Sequence, residues 1–569
     1  MSKICCPRCI PIEGVILAKT SSSCDIKLKA CFEEKTHNIH QELTKADCAV
    51  VIGSSSYSKM AVRSISGRIA VYYSKELHLC LRHQSALAAV ASDDPSMVAA
   101  AKSHKKMPGP KSLLGSGLAL MLGLKEIDRN EMFKLHKQYG DIVRLKMAPG
   151  MYTVHLFDPD DMEFVYRNEG QFPIRMELET QYAKDKKLPF GIISADGSYW
   201  NKLRKAVNKQ LMRPKAISAY LPAQEPIADD LIKRIYNLKD GNGEVPEFML
   251  QLNHYAMEAV SVVLFAKRLY AVSPIADPPA ETTEFIHAAQ TVFEAMQTLL
   301  LNIPLHKFIT TPTYRKYKEN ADIMLGTLMR YIQDTVARSE TGDIRCGLDV
   351  EDSVALSILR SGITNQEAMM VMFDIMFAGV DTTSNFLGFC LHYLATNPDA
   401  QEKLYQEVHK EAPQGRPVTE SALNRMPYLK AVCKESHRLT PIAATIPRIL
   451  EKDVTIKGYR IPAGEMMMME HGVSSRQSSL YENADSFWPD RWLRQQRQQQ
   501  THPFSIMPFG FGRRMCLGRR LAEQEIHILL IKLMQNFGIE YHHEPIEAAT
   551  RLVAIPDKPL RFSFIERDV

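Results

Sequence analysis

The chain has 569 residues, of which 45% are hydrophobic and 24% charged, with a formal net charge of +5. That length suits one large core or several small ones, and the composition is that of a folded globular chain. So mild a positive charge argues against a nucleic-acid partner while permitting a local basic docking surface. Eleven cysteines show no regular spacing; Cys5, Cys6, Cys9, Cys24, Cys31 and Cys48 crowd the start, so a reducing compartment without a disulfide framework is expected.

The "CPRC" at Cys6–Cys9 could be half of a zinc site, but no second pair follows at a suitable spacing, and no metal is expected there. Residues 1–59 show no sustained periodicity and are read as an extension outside the folded body, either non-native, cleaved or a disordered tail. From Met60 the sequence carries Arg63, Arg68, Lys75 and Arg82 against the single acid Glu76, with serines and apolar residues between. That is the pattern of a mitochondrial presequence, so residues 60–106 are expected to be a targeting segment and linker with Met60 as the effective start. The apolar stretch at 113–124 is too short and glycine-broken to span a bilayer, though a peripheral membrane contact is compatible with it.

Pro108-Gly109-Pro110 reads as a rigid hinge into the folded body, residues 107–569. "DIVRLKM" (141–147) and "MYTVHLF" (151–157) flank a Pro-Gly turn and predict a hairpin. Asp158 then caps a helix with Pro159 at its first position. Long helical patterns dominate from 196 to 440. The longest opens with a capping box, Thr364 and Glu367, and stops at Asn397-Pro398, about 50 Å of helix. A mainly α fold with a smaller β-rich N-terminal subregion follows. The glutamine-rich run at 494–500 predicts an exposed loop.

The chemistry concentrates at "PFGFGRRMCLGRRLAEQE" (508–525). A helical pattern follows Cys516 directly, placing its sulfur at a helix N-terminus, where N–H groups and the helix dipole favour a thiolate. A thiolate suits haem iron, where it pushes electron density toward the metal. Gly512 and Gly518 would let the backbone approach a flat macrocycle, Arg514 could reach a propionate, and the Phe509 ring would shield the sulfur. Glu435 and Arg438, three apart in "KESHR", share one helix face and can pair. In "AGVDTT", Gly379 thins the mid-helix and the Thr382 hydroxyl can bond back to the preceding turn. Lys430, Lys434, Arg519 and Arg520 make a cationic patch on the sulfur side, able to steer an acidic electron carrier.

"FGFGRRMCLG" resembles the haem-binding signature of the cytochrome P-450 superfamily, with its five fixed positions at Phe509, Gly512, Arg514, Cys516 and Gly518. The resemblance covers residues 107–569 and implies that superfamily's fold around a buried heme b, with Cys516 as the axial iron ligand. It implies that Arg491 of "FWPDRW" completes a structural triad with Glu435 and Arg438. Trp200 and Arg204 of "WNKLR", and Arg448, would contact propionates. Asp381 and Thr382 would form the proton-delivery pair: Thr382 orients a water where dioxygen is activated, and Asp381 relays protons from solvent.

The paired lysines and "CLGRR" are similar to the mitochondrial branch, whose electron donor is an adrenodoxin-like [2Fe–2S] ferredoxin served by an NADPH-dependent reductase. That resemblance implies a monooxygenase on the matrix side of the inner mitochondrial membrane, in peripheral contact with it. A lipophilic, steroid- or sterol-like substrate would meet Phe373, Phe377, Ala378, Thr445 and Ile446. A xenobiotic-metabolising monooxygenase is the alternative; an isomerase, a peroxide-using enzyme or a haem-thiolate sensor fits less well with the acid–alcohol pair present.

Overall fold

The computed structural model describes residues 9–12, 15–18, 101–110, 129–148, 151–175, 181–301, 305–342, 344–345, 348–493, 501–550 and 552–567. The chain divides into two compact units, Met1–Asp94 and Pro95–Val569. In the first, the described part is an antiparallel pair, Cys9–Ile12 with Val15–Ala18. Cys6 of the "CPRC" motif, the presequence reading from residue 60 to 100, the apolar stretch at 113–124 and the glutamine run at 494–500 lie outside the described residues.

The second unit is built from long helices: α1 (Gly197–Leu211), α2 (Leu221–Leu238), α3 (Phe248–Phe265), α4 (Ala280–Leu301), α5 (Pro312–Thr341), α6 (Asn365–Ala395), α7 (Pro398–Glu411), α8 (Pro427–Leu439) and α9 (Arg519–Asn536). Local sequence sets their ends. Proline opens α5, α7 and α8, where its missing N–H costs nothing. Thr364 and Glu367 form both bonds of a capping box at the start of α6, at 3.2 and 2.8 Å. The 31 residues of α6 then run about 46 Å, enough to cross the unit.

α3 is almost wholly buried and packs against α6. The close approach depends on Gly379, because a Cβ there would sit 2.9 Å from Val260 Cγ2. A helix buried all round, rather than on one stripe, marks the centre of the core.

The expected hairpin forms β1 (Ile142–Ala148) and β2 (Met151–Leu156), antiparallel with a register shift between Lys146 and Ala148. Two further strands, β3 (Ile446–Ile449) and β4 (Met466–Met469), complete a sheet of order β1-β2-β4-β3, with β2 and β4 parallel. The β-rich region is therefore half N-terminal and half supplied by the chain around 446–469. Asp158 caps the next helix by accepting the Asp160 N–H at 2.8 Å.

The Pro108-Gly109-Pro110 segment differs from the expectation of a hinge. Pro108 O accepts the Arg144 N–H at 2.9 Å, and a Cβ on Gly109 would overlap Arg144 O. The segment is pinned to β1, and glycine is required there for contact with the strand rather than for motion.

Candidate active site

A cavity of about 830 Å³ lies among α1, α6, the loop entering β3 and the segment 508–518. Its size and largely apolar wall suit a small-molecule site. Cys516 Sγ opens into this cavity. The loop is closed behind the sulfur by the Cys516 N–H donating to Phe509 O at 2.8 Å. Burial pushes the thiol pKa up, while hydrogen bonds from the Gly518 and Arg519 N–H groups and the charges of Arg204 and Arg175 act the other way. The helix N-terminus thus favours the thiolate as the sequence suggests, but in this site it offsets a burial penalty rather than producing a low pKa.

The two glycines of the loop stand in different backbone settings. Gly512 has φ +73°, and a Cβ there would overlap Glu169 Oε1. It is needed for a left-handed turn over Glu169. At Gly518 a Cβ would lie 4.0 Å from Cys516 Sγ, an ordinary contact that no left-handed turn requires. The Phe509 ring stands edge-on to His437 at 5.3 Å, with the Arg519 guanidinium 5.7 Å from it.

Guanidinium groups line the lower cavity. Arg514 is buried, with Nε donating to Pro173 O at 2.9 Å and Nη2 to Ala195 O at 2.7 Å and to Asp196. Its plane sits 4.3 Å from the Trp200 ring. Arg514 Nη1 and Arg204 Nε are buried without any hydrogen-bond partner. Burial and the neighbouring Arg175, Arg448 and Arg204 push the Arg514 pKa down to about 9, against the pull of Asp196.

Arg448 is committed to Glu169, an ion pair at the cavity edge. Arg175, which sequence reasoning missed, is the fourth guanidinium; burial first, then Arg448, lowers its pKa to about 10. Orphaned buried donors in so cationic a pocket call for an anionic ligand. A dicarboxylate macrocycle with an iron for Cys516 meets each of these needs, so the residues present fit haem.

Behind the cavity, Glu435 gathers five donors. Arg438 gives Nε at 2.9 Å and Nη2 at 2.7 Å, Arg491 Nε 3.0 Å, the Trp488 N–H 3.0 Å and Trp492 Nε1 2.9 Å. Arg438 also ties down Ser475 O at 3.1 Å and Ser486 O at 3.0 Å. The three charged residues named from the sequence meet here; Trp492, whose indole completes the carboxylate's shell, was not foreseen.

On α6, Thr382 lines the cavity and its hydroxyl donates to Ala378 O at 2.7 Å. Asp381 is buried one residue away, and burial, with Glu294 adding repulsion, pushes its carboxyl up to about 7. Two further acids went unforeseen. Glu525 accepts the Thr383 hydroxyl at 2.7 Å, and burial pushes its pKa up to about 8. Asp374 lines the cavity and accepts the Ile193 N–H at 2.8 Å, holding the loop of that wall in place.

Ala378, Thr445 and Ile446 face the cavity as expected, but Phe373 and Phe377 do not. They border a small adjoining void of about 40 Å³, with Phe377 stacked on Phe293 at 4.1 Å. The patch residues lie on α8 and α9. The Lys434 ammonium sits 3.7 Å from the Trp492 ring, and Lys430 Nζ donates to Asn424 O at 3.3 Å. Arg519 and Arg520 share Glu523 at 2.9 and 3.8 Å, so the patch is less positive than its sequence implies.

A family model described as Cytochrome P450 matches residues 107–564. The chain is 32% identical over 480 residues to "Probable cytochrome P450 301a1, mitochondrial" of Drosophila melanogaster, covering 81% of this chain and 86% of that protein. It is 30% identical over 472 residues to "1,25-dihydroxyvitamin D(3) 24-hydroxylase, mitochondrial" of Rattus norvegicus, covering 81% and 89%. Against "Sterol 26-hydroxylase, mitochondrial" of Mus musculus, identity is 32% over 435 residues, covering 74% and 81%.

Proposed function

The chain belongs to the cytochrome P450 family and is a haem-thiolate monooxygenase; from that premise we propose that it oxygenates a steroid- or sterol-like substrate on the matrix side of the inner mitochondrial membrane. Its electrons come from NADPH through a ferredoxin reductase and an adrenodoxin-like [2Fe–2S] ferredoxin. The observation that carries the reading is Cys516 Sγ opening into the cavity beside buried, partnerless donors of Arg204 and Arg514.

Bound haem supplies the activation of dioxygen. The chain's residues do the rest. Cys516 would supply the thiolate that holds the haem iron, and the Gly518 and Arg519 N–H groups temper its charge. Arg204 and Arg514, with Arg175 nearby, would hold the propionates. The Thr382 hydroxyl hydrogen is taken by Ala378 O, so its oxygen faces the cavity with lone pairs that hold a water. Asp381, whose carboxyl is pushed up to about 7 by burial, takes a proton and passes it on. The apolar wall excludes bulk water and receives the substrate's hydrocarbon body.

Support for the compartment and substrate class comes from the relatives, whose names place them in mitochondria and give two of them a sterol or a vitamin D compound. Leu305, Phe308 and Ile309 are exposed side by side next to Lys307, an apolar edge with a cation that suits an anionic lipid surface. The decisive experiment is spectral. The reduced, carbon-monoxide-treated protein shows the red-shifted Soret band of thiolate-ligated haem, and Cys516→Ser loses it; retention of that band in the serine variant overturns the assignment. Product formation requiring dioxygen, NADPH and ferredoxin together tests the electron path.

A further inference from the structure

A buried polar chain ends at the cavity wall and is used by none of the steps above. Thr445, half-buried on the loop entering β3, donates its hydroxyl to Glu470 Oε2 at 2.6 Å. Glu470 Oε1 meets His155 Nδ1 at 2.7 Å, and His155 Nε2 meets Thr153 Oγ1 at 2.8 Å. Glu470, His155 and Thr153 are all buried, held between β2 and the end of β4.

The direction of these bonds fixes what Thr445 can offer a ligand. A threonine hydroxyl carries one hydrogen and two acceptor lone pairs. A carboxylate only accepts, so Glu470 takes that hydrogen, and the histidine on its other oxygen keeps it from turning away. Thr445 lines the cavity, and toward any ligand its hydroxyl oxygen is then an acceptor only. A ligand group placed against it must donate: an alcohol pairs with it, whereas a ketone or an ether sets two acceptors face to face and leaves both desolvated and unpaired.

We propose that Thr445, oriented by Glu470 and His155, is a specificity-determining residue that selects substrates bearing a hydroxyl over the corresponding ketones. This rests on the reading of the cavity as the site of a sterol-like substrate, and adds which oxygen function that substrate carries toward β3.

The test titrates the ferric holoenzyme with cholestanol, cholestanone and cholestanol methyl ether, following the change in haem spin state. The alcohol is expected to bind about tenfold more tightly than either analogue, the loss of one hydrogen bond. Thr445→Val brings the alcohol down to the level of the ketone, and Thr445→Ser retains the preference. Glu470→Ala removes the acceptor that holds the Thr445 hydrogen, so the hydroxyl turns to suit either ligand and the preference for the alcohol falls. A merely structural role for the chain would weaken all three ligands together. Equal alcohol-to-ketone ratios in the parent and Thr445→Val, or an unchanged alcohol preference in Glu470→Ala, overturn the proposal while leaving the cavity's role standing. If Glu470→Ala does not fold, the Val and Ser pair decides alone. No spin change with any of the three ligands, in protein that shows the carbon-monoxide band, overturns the sterol reading and the inference with it.

Discussion

The Thr383 hydroxyl donates to Glu525 Oε1 at 2.7 Å, joining the middle of the long helix α6 to the helix that begins just after Cys516. The second oxygen, Oε2, is buried with no partner. This carboxyl titrates near 8 because burial penalises its charge more than one hydroxyl can offset.

Its folded pKa lies above the unfolded value of 4.5, so the folded state holds the extra proton between those limits. Stability therefore falls as pH rises from about 4.5 to about 8, by an amount on the order of 3–5 kcal/mol for this one group. Glu525→Gln, which stays neutral, should flatten that slope: its denaturation midpoint gains on the parent at pH 8 and not at pH 4.5. Parallel pH profiles for the two proteins would refute the assignment.

Removing the carboxylate at 435 leaves two buried guanidiniums facing each other. Glu435→Ala is expected to cost about 3–5 kcal/mol, enough to abolish most folded, haem-loaded protein. Denaturant unfolding and the yield of carbon-monoxide-binding protein measure it. Glu435→Gln keeps some of the five bonds and should lose less. A near-parental midpoint for the alanine variant would remove Glu435 from its central place.

Arg175 shares the lower cavity with three like charges. Arg175→Met should loosen haem, seen as roughly tenfold faster transfer to a haem-scavenging globin. The same change should raise the urea midpoint of the haem-free protein, because one repulsive charge is gone. Opposite signs in the two assays are the signature; a loss in both would mean that Arg175 serves packing alone.

At the docking face, Lys434→Gln should slow reduction by ferredoxin several-fold at moderate salt and leave the haem spectrum intact. Glu523→Gln should do the reverse, because it releases Arg519 and Arg520 from their shared partner. Stopped-flow reduction across a salt series checks both. Salt-independent rates in all three proteins would place the ferredoxin elsewhere.

Phe308 is 86% exposed, with Leu305 and Ile309 at 53% and 63%. Phe308→Asp should cut sedimentation with cardiolipin-containing vesicles about tenfold or more, without affecting the carbon-monoxide spectrum. Unchanged sedimentation would assign the membrane contact to another surface.

Much of this arrangement is written locally in the sequence. The capping box at Thr364 and Glu367, the proline-opened helices and the glycine–cysteine turn depend on neighbours a few residues apart, and each could be read from spacing. What could not be read are contacts across hundreds of residues: Glu169 with Arg448, His155 with Glu470, and Arg175 among the cavity guanidiniums. A lone acid in a loop carries no mark of the partner it will meet. The misplacement of Phe373 and Phe377 has a geometric cause. Successive helical residues are about 100° apart, and the cavity takes the face bearing Ile375, Ala378, Gly379 and Thr382. A reading off by one or two positions therefore turns an aromatic away from the ligand and into the adjoining core.

The crowding of Arg175, Arg204, Arg448 and Arg514 around one cavity has a consequence for how the protein accumulates in a cell. Until a dicarboxylate arrives, the like charges in the lower half of the cavity repel one another, so the haem-free protein should be less stable than the loaded one. When haem is scarce, the supply of this protein should shrink by degradation instead of building a dormant reserve. Cofactor abundance then sets the amount of enzyme as well as its loading.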